Sequence, residues 1–178
     1  LIGSKAQVQF HKFFTLAHLQ EKDKAWTELK KSQKNANDRI KLNEAANQQD
    51  YDNLKQDQIA DEAWYHILFA EYEKAERKLA KVYEIQSKKE FVGALDQYNG
   101  LYGMLYLMKG DPKSSLKYFN DRISVQNNTY FAYFKGLALK ATGQNDDAKS
   151  IFTEIANYNF SGWGAGLVRT LAEKQVAL

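Results

Sequence analysis

The chain contains no cysteine. Disulfides, thiolate nucleophiles and thiolate metal sites are thereby excluded, and such a composition fits a periplasmic or secreted protein slightly better than a cytosolic one. One proline and ten glycines in 178 residues are too few turn-formers for a loop-rich or all-β fold. No apolar run reaches the roughly 18 residues needed to cross a bilayer, so no membrane insertion is expected. Charge of one sign does not accumulate either. The net charge is +3, and residues 96–178 hold nine Lys/Arg against seven Asp/Glu. A nucleic-acid binder draws affinity from phosphate neutralisation and shows a basic stripe. None is visible, so no nucleic acid is expected as a partner. The chain opens Leu1-Ile2-Gly3-Ser4 without a methionine, which reads as a processed or trimmed product.

What is present is helical. Gln, Asn, Lys, Ala and Leu dominate, and helices are their natural home. Val8, Phe10, Phe13, Phe14, Leu16, Ala17 and Leu19 recur at helical spacing over residues 5–19. Asp23 can cap a second helix that carries Ala25, Trp26 and Leu29, giving an N-terminal hairpin. Residues 31–60 are polar and poor in apolar side chains, and read as an exposed helix extension or mobile connector. From Asp61 one apolar stripe (Trp64, Leu68, Tyr72, Ala75, Leu79, Val82) steps by three or four. It predicts a single long helix to about Gln86. Further helices are expected over residues 90–109, 112–125, 130–141, 146–157 and 162–176. Gly110 serves as a C-cap, Asp111-Pro112 as a helix start and Thr129 as an N-cap.

A pattern occurs twice in the second half. Gly103, Tyr106, Gly110 and Phe119 are followed 33 residues later by Gly136, Leu139, Gly143 and Phe152. A fixed period of this size is the signature of a helical-repeat array. With Thr129 at position one, Gly136 falls at position eight, Leu139 at eleven, Ala148 at twenty and Phe152 at twenty-four. Here the chain resembles the tetratricopeptide repeat (TPR) family. The preceding unit, from Asp96, has Ser115 where alanine is expected. Asn99 and Ala132 stand at the motif's early tryptophan position, and its closing proline is absent. The resemblance covers residues 96–160, extends to 6–39 in order of features, and does not reach 40–88. The tail Asn157–Arg169 is similar to the ends of small bacterial repeat proteins of uncharacterised function.

The expected architecture is all-α: a short TPR-like α–α solenoid of antiparallel helix pairs with one long helix in the middle. Residues 1–50 form a hairpin with a polar extension, 51–87 the long amphipathic helix, and 88–178 the repeats with a capping helix, all one continuous array.

Chemistry finds little footing. His11 and His18 are too far apart on a helix to chelate one ion, and Glu62 with His66 supplies only two ligands. That pair reads as a surface pair near a helix start. Gly162-Trp163-Gly164-Ala165-Gly166 lacks the strand that a phosphate loop requires. No apolar setting brackets a carboxylate pair, and no serine has a histidine partner nearby. No enzyme activity, metal or cofactor is expected.

In TPR proteins the first helices line a concave groove, and ligand contacts lie at positions two, five, nine and twelve. The resemblance therefore implies Tyr130, Tyr133, Leu137 and Lys140 in one repeat and Gln97, Gly100, Met104 and Leu107 in the other. Trp163, Arg169 and Thr170 lie on the last helix. The alternative for these rings is inter-helix core. The Lys/Asn set of the carboxylate-clamp subgroup is missing, so binding of chaperone tails is not implied. The function expected is a non-enzymatic adaptor that holds a peptide or protein segment in this groove. A homodimer built on the Trp64–Val82 stripe is the alternative, and a small-molecule or enzymatic site at the aromatic groove is the third reading.

Overall fold

A computed structural model describes residues 2–158 and 162–177 and, among them, shows helices and no strand. The chain divides into two compact units, Leu1–Lys88 and Lys89–Leu178. No helix among the described residues is long and apolar enough to cross a membrane.

The first unit holds α1 (Ile2–His18), α2 (Lys22–Lys41), α3 (Gln48–Leu68) and α4 (Tyr72–Gln86). α1 pairs with α2, α3 pairs with α4, and α3 packs on α2 and α1. The single long helix expected over 51–87 is thus two helices. Helical periodicity persists across the break because the last turn of α3 and the first of α4 carry apolar residues in compatible phase. The chain nevertheless reverses at Ala70, whose φ is +56.

The polar stretch 31–60 is largely helical. α2 continues through Lys41, and α3 starts at a capping box in which Asp50 N–H donates to Asn47 Oδ1 (3.2 Å) and Asn47 N–H to Asp50 Oδ2 (2.9 Å). Its polar side chains tie helices together. Ser32 Oγ donates to the Ala6 carbonyl at 2.8 Å, Gln33 Nε2 to the Gln58 carbonyl at 3.2 Å, and Gln58 Nε2 to Asn37 Oδ1 at 3.0 Å. Ser32, Gln33 and Gln56 are buried, a placement that hydrophobic periodicity cannot anticipate.

The second unit holds α5 (Asp96–Met108), α6 (Pro112–Tyr118), α7 (Val125–Ala141), α8 (Asn145–Asn157) and α9 (Trp163–Val176). α5 pairs with α6 and α7 with α8, while α7 packs on the first hairpin and α9 on the second. α6 is shorter than expected. Phe119 leaves the helix at ψ +96, and the loop that follows is anchored by buried Ile123 and Val125. Lys135 Nζ donates to the Asn120 carbonyl at 3.0 Å across it. α7 contains a kink at Asn128 (φ −155, ψ 82). The side chain of Asn128, and not that of Thr129, caps the straight portion by accepting from Phe131 N–H at 3.1 Å.

One turn recurs in every hairpin. Gln20, Ala70, Gly110 and Gly143 have φ of 60, 56, 83 and 83. After each, a backbone N–H bonds the carbonyl five residues back: Glu21 to Leu16 (2.9 Å), Glu71 to His66 (2.8 Å), Asp111 to Tyr106 (2.9 Å) and Gln144 to Leu139 (2.9 Å). This is the Schellman arrangement, which satisfies carbonyls that the helix end would leave open. Five residues on stands a small buried residue, Ala25, Ala75, Ser115 or Ala148, and nine residues on a large one, Leu29, Leu79, Phe119 or Phe152. Ser115, the departure from alanine, donates its hydroxyl to the Gly103 carbonyl at 2.7 Å. The two units therefore share one hairpin plan.

A Cβ placed on Gly136 would lie 2.7 Å from Phe152 Cε1, and one on Gly103 would lie 2.5 Å from Phe119 Cε1. Gly136→Leu is expected to destabilise by about 1–3 kcal/mol through overpacking. Gly143→Ala meets open space and should cost about 1–2 kcal/mol through its left-handed backbone alone. Ala70→Gly should do the reverse and stabilise by up to about 1 kcal/mol. Denaturant unfolding of the three variants checks these signs.

Candidate binding surface

The first unit is knitted by aromatic rings and two carboxylates. Phe14 meets the Trp64 ring edge-on with centroids 4.4 Å apart, Trp26 lies 4.8 Å from Tyr65, and Tyr65 4.7 Å from Phe69. Edge and tilted contacts of this kind match the ring quadrupoles. Trp64, Ala75, Leu79 and Val82 are all buried within the unit. Four of the six residues of the stripe expected to pair with another copy are thus taken up by intramolecular packing, and Leu68 and Tyr72 are half-buried.

Glu71, directly after the left-handed Ala70, is the electrostatic centre. Its Oε1 accepts from Lys22 Nζ at 2.9 Å and Lys74 Nζ at 3.1 Å, and its Oε2 lies 2.6 Å from His66 Nδ1. An ionised carboxylate only accepts, so Nδ1 carries the proton. Lys22 opens α2, so Glu71 ties the α1–α2 turn to the α3–α4 turn. The Lys22 hydrogen bond, opposed by desolvation and reinforced by His66 and Lys74, holds the Glu71 pKa down at about 2. Burial lowers the His66 pKa against the pull of Glu71. Glu62 is paired with Lys30 and Lys78. Burial works against its charge, yet those ammonium groups hold its pKa below the usual range.

Glu62 and His66 are thus not a surface pair near a helix start. His66 is buried near the end of α3, and each residue serves a different ion-pair cluster. No group of His, Asp and Glu among the described residues is arranged to hold a metal. Burial, followed by the neighbouring Asp57 and Glu62 carboxylates, pushes the Asp61 pKa well up. This close acidic grouping becomes visible only once Asp57 and Asp61 are placed at i,i+4 on α3.

In the second unit, a Cβ on Gly100 of α5 would run into the Phe131 ring, and one placed on Gly164 of α9 would lie 3.2 Å from Tyr130 Cβ. The first helices of successive hairpins thereby approach closely. Gly162 precedes α9, Gly164 is the one of the three glycines that packs closely against a neighbour, and no strand precedes them among the described residues. On α5 and α6, Tyr102 and Tyr106 stack on Tyr118 with centroids 5.0 and 5.5 Å apart, and Tyr98 lies 4.7 Å from Tyr102. Their spacing of four along α5 is readable in the sequence, whereas their convergence on Tyr118 is not.

The residues implied for a ligand groove separate into two sets. Met104 is fully buried, Tyr130 is 1% exposed and Tyr133 7%. Tyr130 contacts Phe131 and Phe134, and Tyr133 contacts Phe134 and Phe152. These three are core side chains, and the aromatic-groove expectation is corrected for them. The tight approach of α5, α7 and α9 leaves no space in which their rings could face a partner. Gln97 and Leu137 are half-buried, and Lys140 is exposed, with Nζ donating to Gln175 Oε1 at 2.9 Å between α7 and α9. Arg169, half-buried, donates to the Tyr158 carbonyl. Trp163 begins α9, but its side chain lies outside the described residues, as does the 159–161 segment.

The chain matches no protein-family model, no curated protein and no solved structure.

Tyr133→Ala should cost about 3–5 kcal/mol of stability, as aromatic truncation in a core does, and chemical denaturation measures this directly. Acid should weaken the first unit in two stages. His66 has a folded pKa below its ordinary 6.5, so the unfolded chain binds its proton first and stability falls as pH drops below about 6.5. Glu71 is held below its ordinary 4.5, at about 2. Its contribution is complete above about 4.5 and is lost as pH falls towards 2. Glu71→Gln should remove the second stage from a plot of unfolding free energy against pH. An unchanged acid limb would refute the role given to Glu71.

Proposed function

We propose that this protein is a non-enzymatic adaptor whose hairpins are of the TPR type and whose second unit docks a peptide or protein segment. The observation that carries the reading is the repeated hairpin with its left-handed turn. Repetition of one supersecondary unit produces extended surfaces in which successive first helices lie side by side. Between Gly100 and Phe131, and between Gly164 and Tyr130, α5, α7 and α9 approach in that way.

Burial of Met104, Tyr130 and Tyr133 removes them from the docking surface and makes them its support. The contact residues proposed in their place are those that reach the surface: Gln97 on α5, Leu137 and Lys140 on α7, and Arg169 on α9. A half-buried leucine flanked by polar and cationic side chains suits a segment with an apolar anchor and acceptor groups, either backbone carbonyls or carboxylates. The lysine already shared with Gln175 can exchange that neutral bond for a charge-assisted one.

Affinity capture with the intact chain tests the reading. Leu137→Glu and Lys140→Glu should each reduce recovery of a specifically bound protein by about tenfold or more. Their melting temperatures should stay close to that of the unsubstituted chain. Capture that survives both substitutions would overturn the assignment of this surface.

A further inference from the structure

A pocket of about 240 Å³ lies where the C-terminal ends of α7 and α9 meet the first two turns of α8. Ala148 and Phe152, 2% and 1% exposed, give it an apolar floor. Lys140, Asn145, Lys149 and Gln175 supply its polar walls, and Val176 completes the lining. Asn145, Ala148, Lys149 and Phe152 fall at i, i+3, i+4 and i+7, so one face of α8 turns towards it.

The charge of this pocket is one-sided. Two ammonium groups and two side-chain amides line it, and no carboxylate does. The acids nearest in sequence lie on other faces. Asp146 and Asp147 stand about 100° and 200° round α8 from Asn145, and Glu173 about 200° round α9 from Gln175. Lys140 Nζ donates from α7 to Gln175 Oε1 at 2.9 Å, a neutral acceptor, and exposed Lys149 makes no ion pair among the described residues. Elsewhere, cations that bridge separate elements meet a carboxylate: Lys22 meets Glu71, Lys30 and Lys78 meet Glu62, and Arg122 meets Asp96. Here the cations are present and the anion is not.

Size and donor type narrow what fits. A site for a whole small molecule occupies roughly 300–1,000 Å³, so this one suits a single side chain or chain end. Its donors are ammonium groups and amides, without the arginine fork that matches phosphate in two places. We propose that the pocket anchors the partner segment by one carboxylate, belonging to an aspartate or glutamate side chain or to the segment's C-terminus, an assignment that rests on the docking of a segment by the second unit. Lys149 and Lys140 donate to the carboxylate, and the Asn145 and Gln175 amides add neutral donors. Lys140 is one helical turn beyond Leu137, so the apolar contact and the charge lie within reach of one short segment.

Peptide selection on the intact chain tests it. Dodecapeptides are selected from a random displayed library, resynthesised, and measured by fluorescence anisotropy with each Asp or Glu changed to Asn or Gln and with the C-terminus amidated. Loss of one particular carboxylate should weaken binding at least about tenfold, and its position tells a side chain from a chain end. Lys149→Ala should weaken binding to a similar degree while the helical signal and melting temperature are kept. With Lys149→Ala present, removal of that carboxylate should cost clearly less, because both changes delete one contact. Peptides that need Leu137 but tolerate Lys149→Ala, or loss of every carboxylate, would overturn the anchor and leave the docking surface standing. A phosphoserine that binds more tightly than the carboxylate it replaces would overturn the choice of anion. A library that yields no binder would overturn the anchor and the docking surface together.

Discussion

The left-handed turn residue between paired helices is the constraint from which the rest of the structure follows. At residues 20, 70, 110 and 143 the backbone turns to positive φ, and the bond from the next N–H to the carbonyl five residues back closes the helix end. A new helix then starts at once and must run back along the first. Small residues five positions later let the two backbones approach, and large residues nine positions later fill what remains. Glycine adopts this conformation without penalty. Gln20 and Ala70 hold it against a cost of roughly 1–2 kcal/mol each.

Tertiary interactions offset that cost where glycine is absent. Glu71 follows Ala70 immediately and joins Lys22, Lys74 and His66. Through Lys22 it reaches the α1–α2 hairpin, whose turn also lacks glycine. The aromatic set Phe14, Trp26, Trp64, Tyr65 and Phe69 lies in the same region. The second unit solves its packing differently. Gly103 and Gly136 admit the rings of Phe119 and Phe152, and Gly100 admits Phe131 between first helices. One unit thus relies on charge and ring contacts, the other on the absence of a Cβ at specific points.

The same close packing decides which residues are available for binding. Tyrosines at positions where a repeat family presents ligand contacts are driven inside because neighbouring first helices stand only a glycine apart. The surface left over is less aromatic and more polar, carried by Gln97, Leu137, Lys140 and Arg169. That outcome follows from which helix face each hairpin spends on its neighbour.

Sequence alone determined the helical class, the hairpins at Gly110 and Gly143 and the small and large positions around them. Those features are local: a glycine at a left-handed turn and apolar residues at helical spacing act within a few residues of themselves. The hairpin at Ala70 was hidden because its turn residue is one that normally continues a helix, and because connections of different length between hairpins erase the fixed period outside residues 96–160. Only the tertiary structure decided that this stripe is divided between two helices. Only it showed that the polar residues Ser32, Gln33 and Gln56 are buried, that His66 belongs to Glu71 rather than to Glu62, and that Tyr130 and Tyr133 are core. Each of these depends on how much space a residue far away in sequence leaves, and spacing along one helix carries no information about that distance.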